Sequence, residues 1–139
     1  MLLPLVRLGD PWPTGPAHPS TGWAPPVARV RLATGLSATI DEWGDAVPGG
    51  YNGSFRATDP RTGVVMGQLD YQSAAGGDPV LIAMIEVTPS YRGRGVADLL
   101  LARLLAEFPG RPIEPGLMTE SGGRWWARVE PIVRRTRQP

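Results

Sequence analysis

The chain contains no cysteine, no lysine and a single histidine, His18. Without cysteine there is no disulfide, no thiolate nucleophile and no cysteine metal site. His18 lies in a proline-rich stretch with no second ligand nearby, so an exposed loop imidazole is expected, rather than a metal ligand or catalytic base. Serine–histidine catalysis has no support for the same reason. All fourteen basic residues are arginine, which rules out a P-loop nucleotide site, because that site needs a lysine after its glycines. The formal net charge is only +1, so bulk electrostatics draws the chain neither to nucleic acid nor to an acidic membrane surface. Arginine without lysine, together with 18 glycines and 16 prolines, reads as residue usage, and no function is drawn from it.

At 139 residues and 14.9 kDa the chain is long enough for one core but not two. Residues 1–26 hold seven prolines and read as an extended arm. Its opening Met1-Leu-Leu-Pro-Leu-Val is too short, and too soon interrupted by Pro4 and Arg7, for a signal peptide, so a cytoplasmic protein is expected. Trp12 and Trp23 are unusual in a free tail and suggest an arm lying in a groove of its own domain or of a partner. Residues 27–130 form the expected domain, and 131–139 a basic tail.

Alternation predicts the early strands. Ala28, Val30 and Leu32 alternate with Arg29 and Arg31, and Leu36, Ala38 and Ile40 give a weaker second run. From Asp41 to Gly50 the breakers Gly44, Pro48, Gly49 and Gly50 predict a turn. Tyr51, Gly53, Phe55 and Ala57 then share one face. After a hairpin turn at Asp59-Pro-Arg-Thr-Gly63, so do Val65, Gly67, Leu69 and Tyr71.

The chain is organised around residues 80–108. Val80 to Val87 is almost continuously apolar, too short to span a membrane and rich in β-branched residues, as in a central strand covered on both faces. Pro89 stops it. In Arg92-Gly-Arg-Gly-Val-Ala97 two glycines allow a tight bend that gathers N–H groups at a helix start, an anion site to which Arg92 and Arg94 add donors suited to phosphate. The helix follows from the four-residue spacing of Val96, Leu100 and Leu104 and of Ala97, Leu101 and Leu105, with Asp98, Arg103 and Glu107 as its polar side. The dinucleotide fingerprint would put glycine where Asp98 stands and does not fit. A plain tight turn with solvated arginines is the other explanation of the loop, although a turn alone does not call for two arginines.

The order strand, Val87-x-Pro89-x-x-Arg92-Gly93-Arg94-Gly95-Val96-Ala97, helix closely resembles the acyl-CoA loop of the GNAT superfamily of N-acetyltransferases. The match covers about thirty residues. It implies an α+β fold with a mixed, mostly antiparallel sheet, a central strand followed by a pyrophosphate-loop helix, a splayed short strand and a second helix. It implies acetyl-CoA, or another acyl-CoA, as cosubstrate, with no metal and an amine as acceptor. The resemblance assigns the pyrophosphate to Arg92, Gly93, Arg94, Gly95, Val96 and Ala97, and the pantetheine arm to main-chain groups of Ile85 and Val87.

Departures from the family are also visible. Residues 33–50 are too few for the two helices that the family usually carries after its first strand. Arg111 to Gly116 can give only a very short strand, because Pro112 and Pro115 limit pairing. Thr119 or Ser121 caps a short helix at Arg124 to Val129. Of the adjacent Trp125 and Trp126, one is expected in the core and one as a wall of the cofactor or acceptor channel. With so little chain left, the fold is either truncated or completed by the amino-terminal arm or by a second subunit in a homodimer.

For a base, Glu86 is the first candidate, since an acid in an apolar strand either faces a cleft or is paired, here with an arginine such as Arg56. Glu114 on the splayed strand is the second, and either can act through a water. Many family members use a tyrosine as acid on the helix after the splayed strand. The matching segment 120–129 has none, and Tyr51, Tyr71 and Tyr91 each have a packing or loop explanation. Three functions follow: an N-acetyltransferase, a non-catalytic CoA-binding or protein-interaction module of the same fold, and, least favoured, a nucleic-acid-associated protein using Arg124, Arg128, Arg134, Arg135 and Arg137.

Overall fold

The computed structural model describes residues 5–6, 28–32, 34–74 and 78–137. Among these residues it is an α+β protein with one seven-stranded sheet and two α-helices. The strands are β1 (Leu5–Val6), β2 (Ala28–Leu32), β3 (Ser37–Val47), β4 (Gly50–Thr58), β5 (Val65–Ala74), β6 (Val80–Val87) and β7 (Ile113–Pro115). The helices are α1 (Val96–Glu107) and α2 (Glu120–Arg137). Sheet order follows chain order. Strands β2 to β6 form an antiparallel meander, with β1 parallel to β2 at one edge and β7 parallel to β6 at the other. Two residues of the expected arm therefore belong to the sheet; His18, Trp12 and Trp23 lie outside the described residues.

The turn expected over 41–50 is confined to two of its residues, Pro48 and Gly49. β3 continues through Asp41 to Val47, and only Pro48 and Gly49 separate it from β4. Three residues of this stretch find partners that hold them in the strand. Asp41 accepts from Arg56 (3.4 Å) and from Thr58 Oγ1 (3.1 Å) on the neighbouring strand. Glu42 is buried against Arg103. Gly44 lies beneath the Tyr51 ring, whose hydroxyl would stand 1.6 Å from any Cβ there. No helix lies between β2 and β3 among the described residues, and the chain turns directly at Thr34 and Gly35.

A register shift between Ala57 and Thr58 leaves Met66 of β5 without an opposite number on β4, a bulge in β5. It reverses the expected facing at this point: Met66 is fully buried and Val65 exposed, as an inserted residue re-aims the side chains beside it. Beyond the bulge, Gly67, Leu69 and Tyr71 face α1 with Gly53, Phe55 and Ala57, as the alternation predicts.

Helix α1 covers this face. Val96, Leu99, Leu100, Leu101, Leu104 and Leu105 are all buried, so the helix is enclosed on most sides. Arg103, expected on its polar side, is buried. Its guanidinium pairs with Glu42 and Glu107 and sits 4.9 Å from the Phe55 ring centroid. The helix expected at 124–129 is much longer, running from Glu120 into the residues read as a tail. Pro131 lies inside it, at the cost of one main-chain hydrogen bond. The buried stripe Trp126, Val129 and Val133 continues at helical spacing across the proline and outweighs it. Thr119 caps this helix, its hydroxyl accepting from the Gly122 N–H at 3.1 Å.

Candidate functional site

Two concavities lie side by side where β6 runs into α1. The first is a cavity of about 380 Å³ at the glycine loop, lined by Gly93, Gly95, Val96 and Ala97, by the side chains of Thr34, Tyr91 and Arg92, and by Asp98 and Arg128. Gly93 and Gly95 both have positive φ, +73° and +89°, a conformation open to glycine at little cost. Gly95 is the N-cap of α1, and no side chain caps the helix. The first helical bond runs from the Leu99 N–H to the Gly95 carbonyl (3.0 Å), so the N–H groups of Val96, Ala97 and Asp98 have no partner within the helix. They supply the positive end of a helix dipole to the cavity.

The loop is tied down on three sides. The Thr34 hydroxyl donates to the Arg94 carbonyl (2.7 Å), Arg92 Nε donates to the Val87 carbonyl (3.2 Å), and the Tyr91 hydroxyl donates to Asp59 (3.1 Å). Asp59 also accepts from the Arg61 N–H and guanidinium. The Arg61 N–H first, and then its side chain, hold the Asp59 carboxyl below its ordinary range. Of the two predicted phosphate arginines, Arg92 lines the cavity. Arg94 instead lies over the Tyr91 ring, 5.4 Å from its centroid.

The second concavity is a cleft of about 160 Å³ between β6 and the chain after β7, lined by Ile82 to Ile85, by Pro115 to Thr119, and by Gly122 and Trp125. It exists because β7 pairs with β6 only from Val80 to Ile82. The Gly116 N–H makes the last bond, to the Ile82 carbonyl (2.9 Å). Prolines 112 and 115 keep β7 short. A bulge in β6 falls at the same place, since Met84 pairs with Asp70 but Ile82 with Tyr71, leaving Ala83 unpaired. Past the bulge, the Thr88 N–H bonds to Met66 (2.8 Å). Antiparallel alternation therefore turns the N–H and C=O groups of Ile85 and Val87 to the edge facing away from β5. The main-chain groups named from the sequence thus lie along the open edge.

Glu86 is exposed on the sheet face opposite α1 and has no hydrogen-bond or ion-pair partner among the described residues. The alternative pairing with Arg56 is not formed, because Arg56 meets Asp41. Glu114 is also exposed but stands opposite Leu81. It is therefore five residues from Glu86 along the sheet, roughly 16 Å, and the two acids do not converge. On the same face as Glu86, beside the bulge, Asp70 accepts from Ser54 (2.6 Å) and Gln68 (2.9 Å). Alternation along β4 and β5 puts these three on the face opposite Phe55 and Leu69, but nothing in the sequence shows that they meet.

The tyrosines lie elsewhere. Tyr71 is buried above Gly53, and burial pushes its hydroxyl well above the ordinary range; Tyr51 is raised in the same direction for the same reason. None lines the cleft. A network missed by the sequence reading joins the two helices at the cavity edge: Asp98 accepts from Trp125 Nε1 (2.9 Å) and takes Arg128 in a two-pronged pair (2.9 and 3.2 Å). The carboxylate raises the Arg128 guanidinium further above its ordinary value. Arg124 and Arg134 likewise pair with Glu120 and Glu130, so three of the five arginines considered for nucleic acid meet carboxylates. No helix among the described residues is long and apolar enough to cross a membrane.

Fold and site together define an α+β protein with an uncapped helix N-terminus on a glycine loop, opening beside a parted pair of parallel strands. Compared with known proteins, the chain matches no family model, no curated protein and no solved structure.

Proposed function

We propose that the protein binds acyl-CoA and transfers the acyl group, acetyl in the simplest case, to an amine, in the manner of the GNAT superfamily that residues 80–108 resemble. The observation that carries this reading is the alignment of the loop cavity, with its free N–H groups, and the cleft along the open edge of β6, which meet at Trp125. A pyrophosphate suits the first, since N–H groups at a helix start and the Arg92 side chain complement its charge. A pantetheine arm suits the second, pairing with the Ile85 and Val87 main chain as an added strand would. At the bulge, main-chain N–H groups polarise the thioester carbonyl. Glu86 takes the proton from the amine, directly or through water, and the departing thiolate is protonated by solvent.

The test is release of free CoA thiol from acetyl-CoA with a panel of primary amines, and loss of that release in Gly95→Trp and Glu86→Gln. Absence of release with every acceptor, while CoA still binds, selects the second reading, a non-catalytic CoA-binding module. Two observations favour that second reading: no tyrosine hydroxyl lines the cleft, and Glu86 and Glu114 stand apart. The same site belongs to both readings, and the amine assay separates them. A homodimer is tested by sedimentation.

A further inference from the structure

We propose that Trp125 is the specificity-determining residue of this site, a fixed partition that lets only a slender, flexible chain run from the loop cavity into the strand cleft. The role presupposes the acyl-CoA reading above. Among the described residues, Trp125 is the single one common to the linings of the two cavities, so any ligand that fills both passes its indole. The ring is not free to swing. Its Nε1–H donates to Asp98 Oδ1 at 2.9 Å, and the same carboxylate accepts from both terminal nitrogens of Arg128, one on Oδ1 and one on Oδ2. Asp98 belongs to the first turn of α1, whose neighbours Val96, Leu99 and Leu100 are buried in the core. On α2, the adjacent Trp126 is buried, with its ring 6.2 Å from that of Trp125.

With its one donor satisfied by Asp98, the indole offers only ring carbon to whatever lies alongside it. A chain of methylenes and amides can lie against such a surface and keep its own hydrogen bonds for the Ile85 and Val87 edge. A ligand carrying a ring at that point must break the bond to Asp98 and displace a half-buried tryptophan. The two cavities therefore select an anionic head joined to a narrow tail. Trp125 contributes to binding the tail and not to binding the head.

Calorimetric titration with two probes tests this: coenzyme A, which has head and tail, and adenosine 3′,5′-bisphosphate, which has the head's nucleotide but no tail. They are compared in the wild-type protein, Trp125→Ala and Trp125→Phe, with melting temperature as the check on folding. The expected result is a bisphosphate Kd unchanged within about twofold in all three proteins. Coenzyme A is expected to weaken about tenfold in Trp125→Ala and about threefold in Trp125→Phe, which keeps a ring but loses the Asp98 bond. The Phe variant keeps the test alive if the Ala variant does not fold. Equal losses for both probes, or no loss for either, overturn the partition and leave the acyl-CoA reading standing. A wild-type protein that binds neither probe overturns both.

Discussion

Replacing Gly95 by alanine tests the loop where its geometry is tightest. Gly95 has φ +89° and ψ 8°, a region that costs an L-residue roughly 1–2 kcal/mol. The added Cβ would also stand 3.2 Å from Leu32 Cδ2, inside the roughly 3.5–4.0 Å of a comfortable carbon contact. Leu32 is 2% exposed and yields little. Gly93→Ala is the matched control, because Gly93 has φ +73° with nothing within 4 Å of its Cβ. It incurs the backbone cost alone. Gly93→Ala is therefore expected to lose about 1 kcal/mol and Gly95→Ala about 2 kcal/mol, the difference coming from the Leu32 contact. For a domain of this size that is a fall in melting temperature of roughly 3–4 °C and 6–8 °C. Because Gly95 caps α1, relieving the contact moves the Val96 and Ala97 N–H groups, and coenzyme A affinity should fall about tenfold in Gly95→Ala, but much less in Gly93→Ala. Thermal scans and titrations of the two variants decide it. Equal effects in both variants would refute the role given to Leu32 and to the position of the helix start.

Removing Glu42 by Glu42→Ala leaves Arg103, whose side chain is 5% exposed, with less compensation for its buried charge. The expected loss is about 3–5 kcal/mol in denaturant unfolding, and a loss below 1 kcal/mol would show the pair to be dispensable. Asp59 gives a pH dependence. Its folded carboxyl titrates below the ordinary value of about 3.9, so its contribution to stability is complete above that value and fades as pH falls through the folded one. Asp59→Asn should flatten the acid limb of the stability curve and leave the neutral region lowered; an unchanged acid limb contradicts the assignment.

The glycine loop and α1 were legible in the sequence because their causes are local: proline after an apolar strand, paired glycines, and leucines at helical spacing. The antiparallel meander was legible from alternation, except where a distant partner changed the meaning of a residue. Residues 41–50 read as a turn because Arg56, Arg103 and the Tyr51 ring, the partners that make Asp41, Glu42 and Gly44 acceptable within β3, come later in the chain. The length of α2 was available in the spacing of Trp126, Val129 and Val133, three buried side chains whose stripe runs across Pro131. That one tryptophan is buried while its neighbour lines the cavities followed from adjacency alone. The Asp98, Trp125 and Arg128 network did not, since packing of α2 against α1 sets it. The bulge at Ala83, which coincides with the opening of the cleft, left no mark in composition or periodicity.

The central claim is that the loop and the open edge of β6 form one binding site, and backbone amide shifts in an ¹⁵N-labelled sample titrated with coenzyme A test it most directly. The account predicts saturable shifts concentrated at Gly93, Gly95, Val96, Ala97 and Asp98 and continuing to Ile85 and Val87. Shifts absent throughout, or centred away from both segments, would contradict it.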